Sequence, residues 1–176
     1  MSNSDQQRAA LQQAVRDDPL NASLHYRLGA ELAQLREYDA AVSEMSHALA
    51  LDPGLHTARF QLGLLYLTMA RPTQSIETWA LLEAQPDVAL RQFKRGLEAL
   101  IRDDFAECLE ALEAGMRANE TNPPLNGDMQ LIVVKVRELV ARNNVPPPPP
   151  SSAQPEPEQG PSAVRTDFSL YEPGSR

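Results

Sequence analysis

The stretch HYRLGAEL at residues 25–32 returns in outline as RFQLGLLY at residues 59–66 and as QFKRGLEA at residues 92–99. The central glycines of these stretches, Gly29, Gly63 and Gly96, are 34 and 33 residues apart. The same spacings separate the small residues Ala41, Ser75 and Cys108. They also separate the large apolar residues Met45, Trp79 and Leu112. When the stretches are aligned, these three sets of residues form three columns with one shared period, which predicts an internal repeat of about 34 residues.

Each repeat contains two apolar stripes with helical spacing. In the first repeat, one stripe is Leu28, Leu32 and Leu35, and the other is Ala41, Met45, Ala48 and Leu49. The pair Pro53-Gly54 then provides a helix stop. This pattern predicts a hairpin of two helices of about 13 residues each. The glycine and small-residue columns would let the two backbones approach closely.

The order of these residues resembles the tetratricopeptide repeat, in which Leu-Gly, an aromatic residue, Ala, a second bulky residue and Pro follow at fixed offsets. The first repeat matches with Leu28-Gly29, Ala41, Met45 and Pro53, and the second with Leu62-Gly63, Tyr66, Ser75 and Trp79. The third repeat keeps Gly96, Phe105, Cys108 and Leu112 but has Arg95 in the leucine position. The resemblance covers roughly residues 20 to 120. It implies an all-α fold, a right-handed superhelix of three helical hairpins with terminal helices.

The sequence predicts five segments along the chain. Residues 1–20 form the helix of a truncated repeat, and residues 21–123 form three repeats at about 22–55, 56–88 and 89–122. Residues 124–144 form a C-terminal capping helix that covers the last repeat, with Asp128 as its N-cap. Alternatively, the apolar surface from Leu131 to Val140 is a dimer contact. A proline-rich linker at 145–163 is predicted to be disordered, and a tail with the character of a short motif occupies 164–176.

Composition argues against several classes of function. The chain has 16 Lys and Arg against 24 Asp and Glu, a net charge of −8. No basic cluster could neutralise a row of phosphates, so no nucleic-acid partner is expected. No apolar run is long enough to cross a bilayer, and no membrane insertion is expected. The single cysteine, Cys108, is expected to be a buried free thiol, which agrees with a cytoplasmic location.

The polar residues do not suggest a reaction centre. No two of the three histidines share the i, i+4 spacing of a metal pair, and Cys108 is distant from all of them in sequence. The serines lack the context of an activated nucleophile, and no glycine-rich loop could hold a phosphate. We therefore expect no enzymatic activity, no metal and no cofactor.

The resemblance implies that the first helix of each hairpin lines a concave groove. The predicted groove residues are Tyr26, Arg27, Phe60, Gln61, Leu64, Leu67, Phe93, Lys94, Leu97 and Ile101, with Ala30 beside them. Tyr26, Phe60 and Phe93 recur at the repeat spacing and are the expected anchors for a bound peptide. Arg27 and Lys94 would favour an acidic flank on that peptide. The alternative is that these aromatic residues pack against the neighbouring repeat.

The sequence therefore predicts a protein-interaction adaptor that binds a peptide or helix of a partner protein. Two other roles remain open: a secretion-type chaperone that shields apolar segments of an export substrate, and a docking subunit of a larger assembly. The tail regains Phe168, Leu170 and Tyr171 after the linker. We expect this motif either to occupy the groove of its own chain or of a second copy, or to bind another protein.

Overall fold

The protein is all-α, as predicted, in a computed structural model that describes residues 3–83, 86–120 and 122–143. None of these residues forms a β-strand. The helices are α1 (Asn3–Asp17), α2 (Ala22–Gln34), α3 (Tyr38–Leu51), α4 (His56–Thr68), α5 (Pro72–Trp79), α6 (Val88–Ile101), α7 (Phe105–Ala118) and α8 (Pro123–Asn143). The predicted linker and the tail residues Phe168, Leu170 and Tyr171 lie outside the described residues.

The helices pack as consecutive hairpins. Helix α2 packs on α3, α4 on α5 and α6 on α7, while α1 packs on α2 and α8 on α7. Helix α3 also contacts α4, which joins the first hairpin to the second. Three of the helices begin at a side-chain cap: Asn21 accepts a hydrogen bond from the Leu24 amide, Asp87 from Leu90 and Asp104 from Glu107. Such caps satisfy amides that have no partner within the helix.

The three turns inside the hairpins have one backbone design. Each places a residue other than glycine in the left-handed region: Arg36 (φ 62°), Ala70 (φ 56°) and Asp103 (φ 57°). The following amide then donates back to a carbonyl five residues earlier: Glu37 to Leu32, Arg71 to Tyr66, and Asp104 to Ala99. This is the Schellman ending of a helix, which satisfies carbonyls in its last turn. The repeat therefore extends to the turns, although the turn residues themselves differ.

The three columns found in the sequence meet inside each hairpin. A Cβ atom on Gly29 would lie 2.7 Å from the side chain of Met45, and one on Gly96 would lie 2.7 Å from that of Leu112. In the middle hairpin, Trp79 takes the place of these residues, and the Ser75 hydroxyl donates a 2.7 Å hydrogen bond to the Gly63 carbonyl. Glycine on the first helix thus makes room for a large side chain on the second, because a Cβ atom would collide with it.

The second hairpin departs from the predicted pattern at its second helix. Helix α5 has only 8 residues and is followed by a single 3-10 turn, Ala80–Leu82. Its start follows the sequence closely, since Pro72 lies in the first turn, where the missing amide has no cost. Leu82 nevertheless reaches the core and is fully buried. The 3-10 turn therefore continues the apolar face of α5 at a tighter winding.

The C-terminal helix begins earlier than the predicted cap. Helix α8 starts at Pro123, so the expectation that Asp128 caps it is wrong. The early start has a packing reason, because Leu125 in the first turn is buried. Asn119 supports the entry to the helix with hydrogen bonds of 2.7 Å to the Asn122 carbonyl and to the Asn126 side chain.

One face of α8 closes the end of the repeats. Met129, Ile132, Val133 and Val136 are fully buried in a core that also contains Phe93, Leu97 and Leu112. Leu131 and Val134, on the outer face, remain 48% and 43% exposed. The predicted apolar surface is thus divided between two faces, and the larger part covers the last hairpin. A second, smaller core joins α1 to the first hairpin through Leu11, Leu28, Leu32 and Met45.

Candidate functional site

The structure corrects half of the predicted groove. Phe60, Leu64, Leu67, Phe93 and Leu97 are all buried, with exposed fractions between 0% and 3%. They belong to the larger core, together with Trp79, Leu82 and the inner face of α8. The prediction that they line an open groove is therefore wrong, because no partner can reach side chains that are already covered.

The aromatic rings explain this burial. The Phe60 ring lies 5.8 Å from the Trp79 ring in a stacked arrangement and 6.0 Å from the Phe93 ring in a tilted one. Phe93 in turn occupies the space beside Gly115 on α7, where a Cβ atom would lie 2.5 Å from the ring. The alternative left open by the sequence, that these aromatic residues pack between repeats, is the correct one for Phe60 and Phe93.

Lys94 is also not the free cation that the sequence suggested. Its side chain is largely buried, and its ammonium group lies 3.0 Å from the Glu83 carboxylate and 3.2 Å from the Glu98 carboxylate. Two carboxylates surround one ammonium, so this position offers a partner no unpaired positive charge. The prediction that Lys94 attracts an acidic flank is wrong.

Four of the predicted groove residues keep access to solvent. Tyr26, Gln61 and Ile101 are half-buried, and Arg27 is exposed. Arg27 forms no ion pair with any residue that the structure describes. Burial raises the pKa of the Tyr26 phenol, so this hydroxyl stays protonated at neutral pH. We call Tyr26, Arg27, Ala30, Gln61 and Ile101 the first-helix surface. Binding by these residues remains a prediction.

Charge is unequally divided between the two helices of the hairpins. The first helices, α2, α4 and α6, carry the cations Arg27, Arg59, Arg91, Lys94 and Arg95 and the carboxylates Glu31 and Glu98. The second helices, α3, α5 and α7, carry the carboxylates Asp39, Glu44, Glu77, Glu107, Glu110 and Glu113 and the cation Arg117. The first helices are therefore net basic in a protein whose net charge is −8.

A shallow depression of about 300 Å³ lies along α6, beside the buried lysine. Its lining residues are Glu83, Arg91, Gln92, Lys94, Arg95 and Glu98. Arg95 donates a 2.8 Å hydrogen bond to Glu107, and this bond lowers the pKa of the Glu107 carboxyl. Since Lys94 and Arg95 are both matched by carboxylates, we do not assign this depression a ligand.

The environment of His25 was not predicted from the sequence. The imidazole is buried, with Nδ1 2.7 Å from the Glu44 carboxylate and Nε2 3.0 Å from the Pro19 carbonyl oxygen. Glu44 lies one helix away, 19 residues along the chain. The sequence feature that pointed to this environment was a histidine at a position where the tetratricopeptide pattern has a bulky apolar residue.

The described residues contain no cluster of metal ligands, and their cysteine is buried. No group of three or more His, Cys, Asp and Glu side chains in residues 3–83, 86–120 and 122–143 could hold a metal ion. Cys108 is buried, and burial, with a contribution from the Asp104 charge, raises the pKa of its thiol to about 12.

None of the helices described is both long enough and apolar enough to span a bilayer.

Comparison with known proteins shows a distant similarity. No family model matches the chain. The chain is 24% identical over 117 residues to the small glutamine-rich tetratricopeptide repeat-containing protein 2 of Saccharomyces cerevisiae. The match covers 66% of this chain but only 32% of the yeast protein. The sequence thus resembles a protein with tetratricopeptide repeats, and its helices pack as the hairpins that such repeats require.

Proposed function

We propose that this protein is a non-enzymatic adaptor whose first-helix surface binds a segment of another polypeptide. The partner segment carries apolar residues and an acidic flank. The observation that carries the proposal is the partition of charge, in which the first helices are net basic and the second helices net acidic. Charge partition of this kind attracts an acidic partner to one face of a molecule and repels that partner from the other face.

Arg27 is a cation on the first helices that stays available to such a partner. It is exposed and lacks an ion pair with a described residue, whereas Lys94 and Arg95 are already matched by carboxylates. At physiological ionic strength, charges are screened over about 8 Å, so the preference acts when the two surfaces are nearly in contact. Arg27 therefore contributes more to the choice of partner than to attraction over long distances.

Tyr26 supplies the apolar part of the contact. Tyr26 is half-buried, so part of its side chain stays accessible to solvent. An aromatic side chain with few rotatable bonds loses little conformational freedom on binding and can also use its hydroxyl group. The similarity to a repeat-containing protein supports the same class of function, because stacked helical repeats present extended surfaces to other proteins.

A site-specific crosslink in the native cells tests this proposal. A photo-crosslinking phenylalanine derivative replaces Tyr26 in one variant, and Glu77 or Glu110 on the second helices in control variants. Each of these control positions is exposed, so a probe there is at least as accessible to a partner as a probe at the half-buried position 26. We expect a discrete crosslinked polypeptide from position 26 and none from positions 77 and 110.

Charge reversal adds a second arm to the experiment. In the Tyr26 probe variant, Arg27→Glu should remove the crosslink, whereas Arg117→Glu, an exposed cation on α7, should leave it intact. Equal crosslinking from both helix faces, or a crosslink at position 26 that survives Arg27→Glu, would contradict the proposal.

A further inference from the structure

The contacts of His25 require a particular protonation state. Nδ1 lies 2.7 Å from a carboxylate oxygen of Glu44, and Nε2 lies 3.0 Å from the carbonyl oxygen of Pro19. A carboxylate oxygen and a carbonyl oxygen both accept hydrogen bonds. A neutral imidazole has a single N–H group and can therefore satisfy only one of them. Only the imidazolium form donates to both.

These two contacts join both helices of the first hairpin to the turn that precedes it. His25 lies in α2, Glu44 lies in α3, and Pro19 lies in the turn between α1 and α2. The hydrogen bond from Nε2 thus ties the chain at the end of α1 to the hairpin. Helix α1 is further held by the burial of Leu11 and by an ion pair of 2.6 Å between Arg8 and Glu37.

Both elements that contact the ring carry ionisable groups. Helix α3 contributes Glu44 and also His47, whose ring centroid lies 4.3 Å from that of His25. Two carboxylates precede Pro19 along the chain: Asp17 ends α1, and Asp18 lies in the turn, where it accepts a 2.9 Å hydrogen bond from Asn21. Burial alone would lower the pKa of His25, but the hydrogen bonds to Glu44 and Pro19 and the charge of Glu44 outweigh it. The pKa is therefore raised above its ordinary value of 6.5.

We infer that His25 is a pH-sensitive tie that holds the α1–α2 turn, and with it helix α1, against the first hairpin. When the ring is protonated, both hydrogen bonds are made. When it loses a proton, one ring nitrogen turns a lone pair towards an acceptor, and the tie between the turn and the hairpin weakens. Helix α1 then separates more often and uncovers the apolar residues that Leu11 packs against.

The sign of the effect follows from the direction of the shift. A histidine whose pKa is higher in the docked form favours docking most at pH values below 6.5. That contribution is lost as the pH rises through the raised pKa. One unit of difference in pKa between the docked and undocked forms corresponds to a tenfold change in the docking equilibrium.

Hydrogen exchange on the full chain tests the inference. Amide protection in α1, corrected for the intrinsic exchange rate, is compared with protection in α6 between pH 5.5 and pH 8.5. We expect protection in α1 to fall about three- to tenfold relative to α6 as the pH rises. Parallel changes in α1 and α6 would overturn the inference.

Three variants separate His25 from other causes. In His25→Gln, the loss of α1 protection relative to α6 at high pH should disappear. In His47→Gln this loss should persist, because His47 makes no hydrogen bond to the turn. In Glu44→Gln the midpoint of the fall should move to lower pH, since the imidazolium loses its carboxylate partner. A fall that persists in His25→Gln would overturn the inference. If His25→Gln does not fold, an unmoved midpoint in Glu44→Gln would do the same.

Discussion

The indole ring of Trp79 occupies the space that a Cβ atom on Gly63 would need. The indole Nε1 also donates a 2.9 Å hydrogen bond to the Phe60 carbonyl oxygen, which holds the ring against the backbone of α4. Because Trp79 is fully buried, this contact cannot relax towards solvent. The close approach of the two helices in the middle hairpin therefore depends on the absence of a side chain at position 63.

Replacement of Gly63 by alanine should destabilise the protein. The added methyl group overlaps a rigid buried ring, and overpacking of this kind costs about 1–3 kcal/mol. The matched control is Gly127→Ala in α8, where nothing lies within 4 Å of the added atom. Alanine there should stabilise by about 0.5–1 kcal/mol through helix propensity. Denaturant unfolding followed by circular dichroism measures both, and a loss at position 127 or a gain at position 63 would contradict this account.

Replacement of Phe60 by alanine should lower the free energy of unfolding by about 3–5 kcal/mol, as should Trp79→Ala. Both side chains are fully buried and stacked on each other. The double variant should lose less than the sum, because each single change already removes the shared contact. Tyr26→Ala, at a half-buried position, should cost clearly less. If Phe60→Ala left the thermal midpoint near that of the wild type, the ring would have to be accessible after all.

Ala70→Gly should stabilise the protein by about 0.5–1 kcal/mol. Ala70 has φ 56°, a conformation that costs roughly 1–2 kcal/mol for a residue with a side chain. Glycine removes that cost, although the greater freedom of the unfolded chain offsets part of the gain. Ala114→Gly in the interior of α7 is the control and should lose about 1 kcal/mol. A decrease in stability in both variants would show that the turn does not hold the left-handed conformation in solution.

Cys108 should be unreactive in the folded protein. Burial raises the pKa of its thiol to about 12, so roughly one molecule in ten thousand carries the thiolate at pH 8. A disulfide reagent such as dithionitrobenzoate should modify the native chain only through unfolding and should react fully in guanidinium chloride. Complete modification of the native chain within minutes at pH 8 would be inconsistent with a buried thiol.

The repeat architecture could be predicted from the sequence because its signals are local. Glycine, a small residue and a large residue recur at one spacing, and Gly29 and Met45 do meet in the first hairpin. The turn residues Arg36, Ala70 and Asp103 share a conformation, but their chemical types differ, so no sequence pattern reveals it. That common conformation is imposed by the hairpin, which needs the same reversal of direction each time.

The candidate site was less predictable for a related reason. Tyr26, Phe60 and Phe93 form one column in the sequence, yet Tyr26 is half-buried while the other two are fully buried. Periodicity assigns a residue to a helix face, but it does not reveal what covers that face. Phe60 is covered because Trp79 and Phe93 approach it from two other helices.

That this protein is a stack of helical hairpins follows from the residues alone, because helix period and glycine spacing are local patterns, and its net negative charge follows from composition. Packing between helices settles which aromatic residues form the core, why Lys94 is matched by Glu83 and Glu98, and why His25 lies between Glu44 and Pro19. Each of these outcomes depends on distances between side chains from different helices. Those distances are set when the hairpins pack, since close packing leaves each buried group a small and specific set of neighbours.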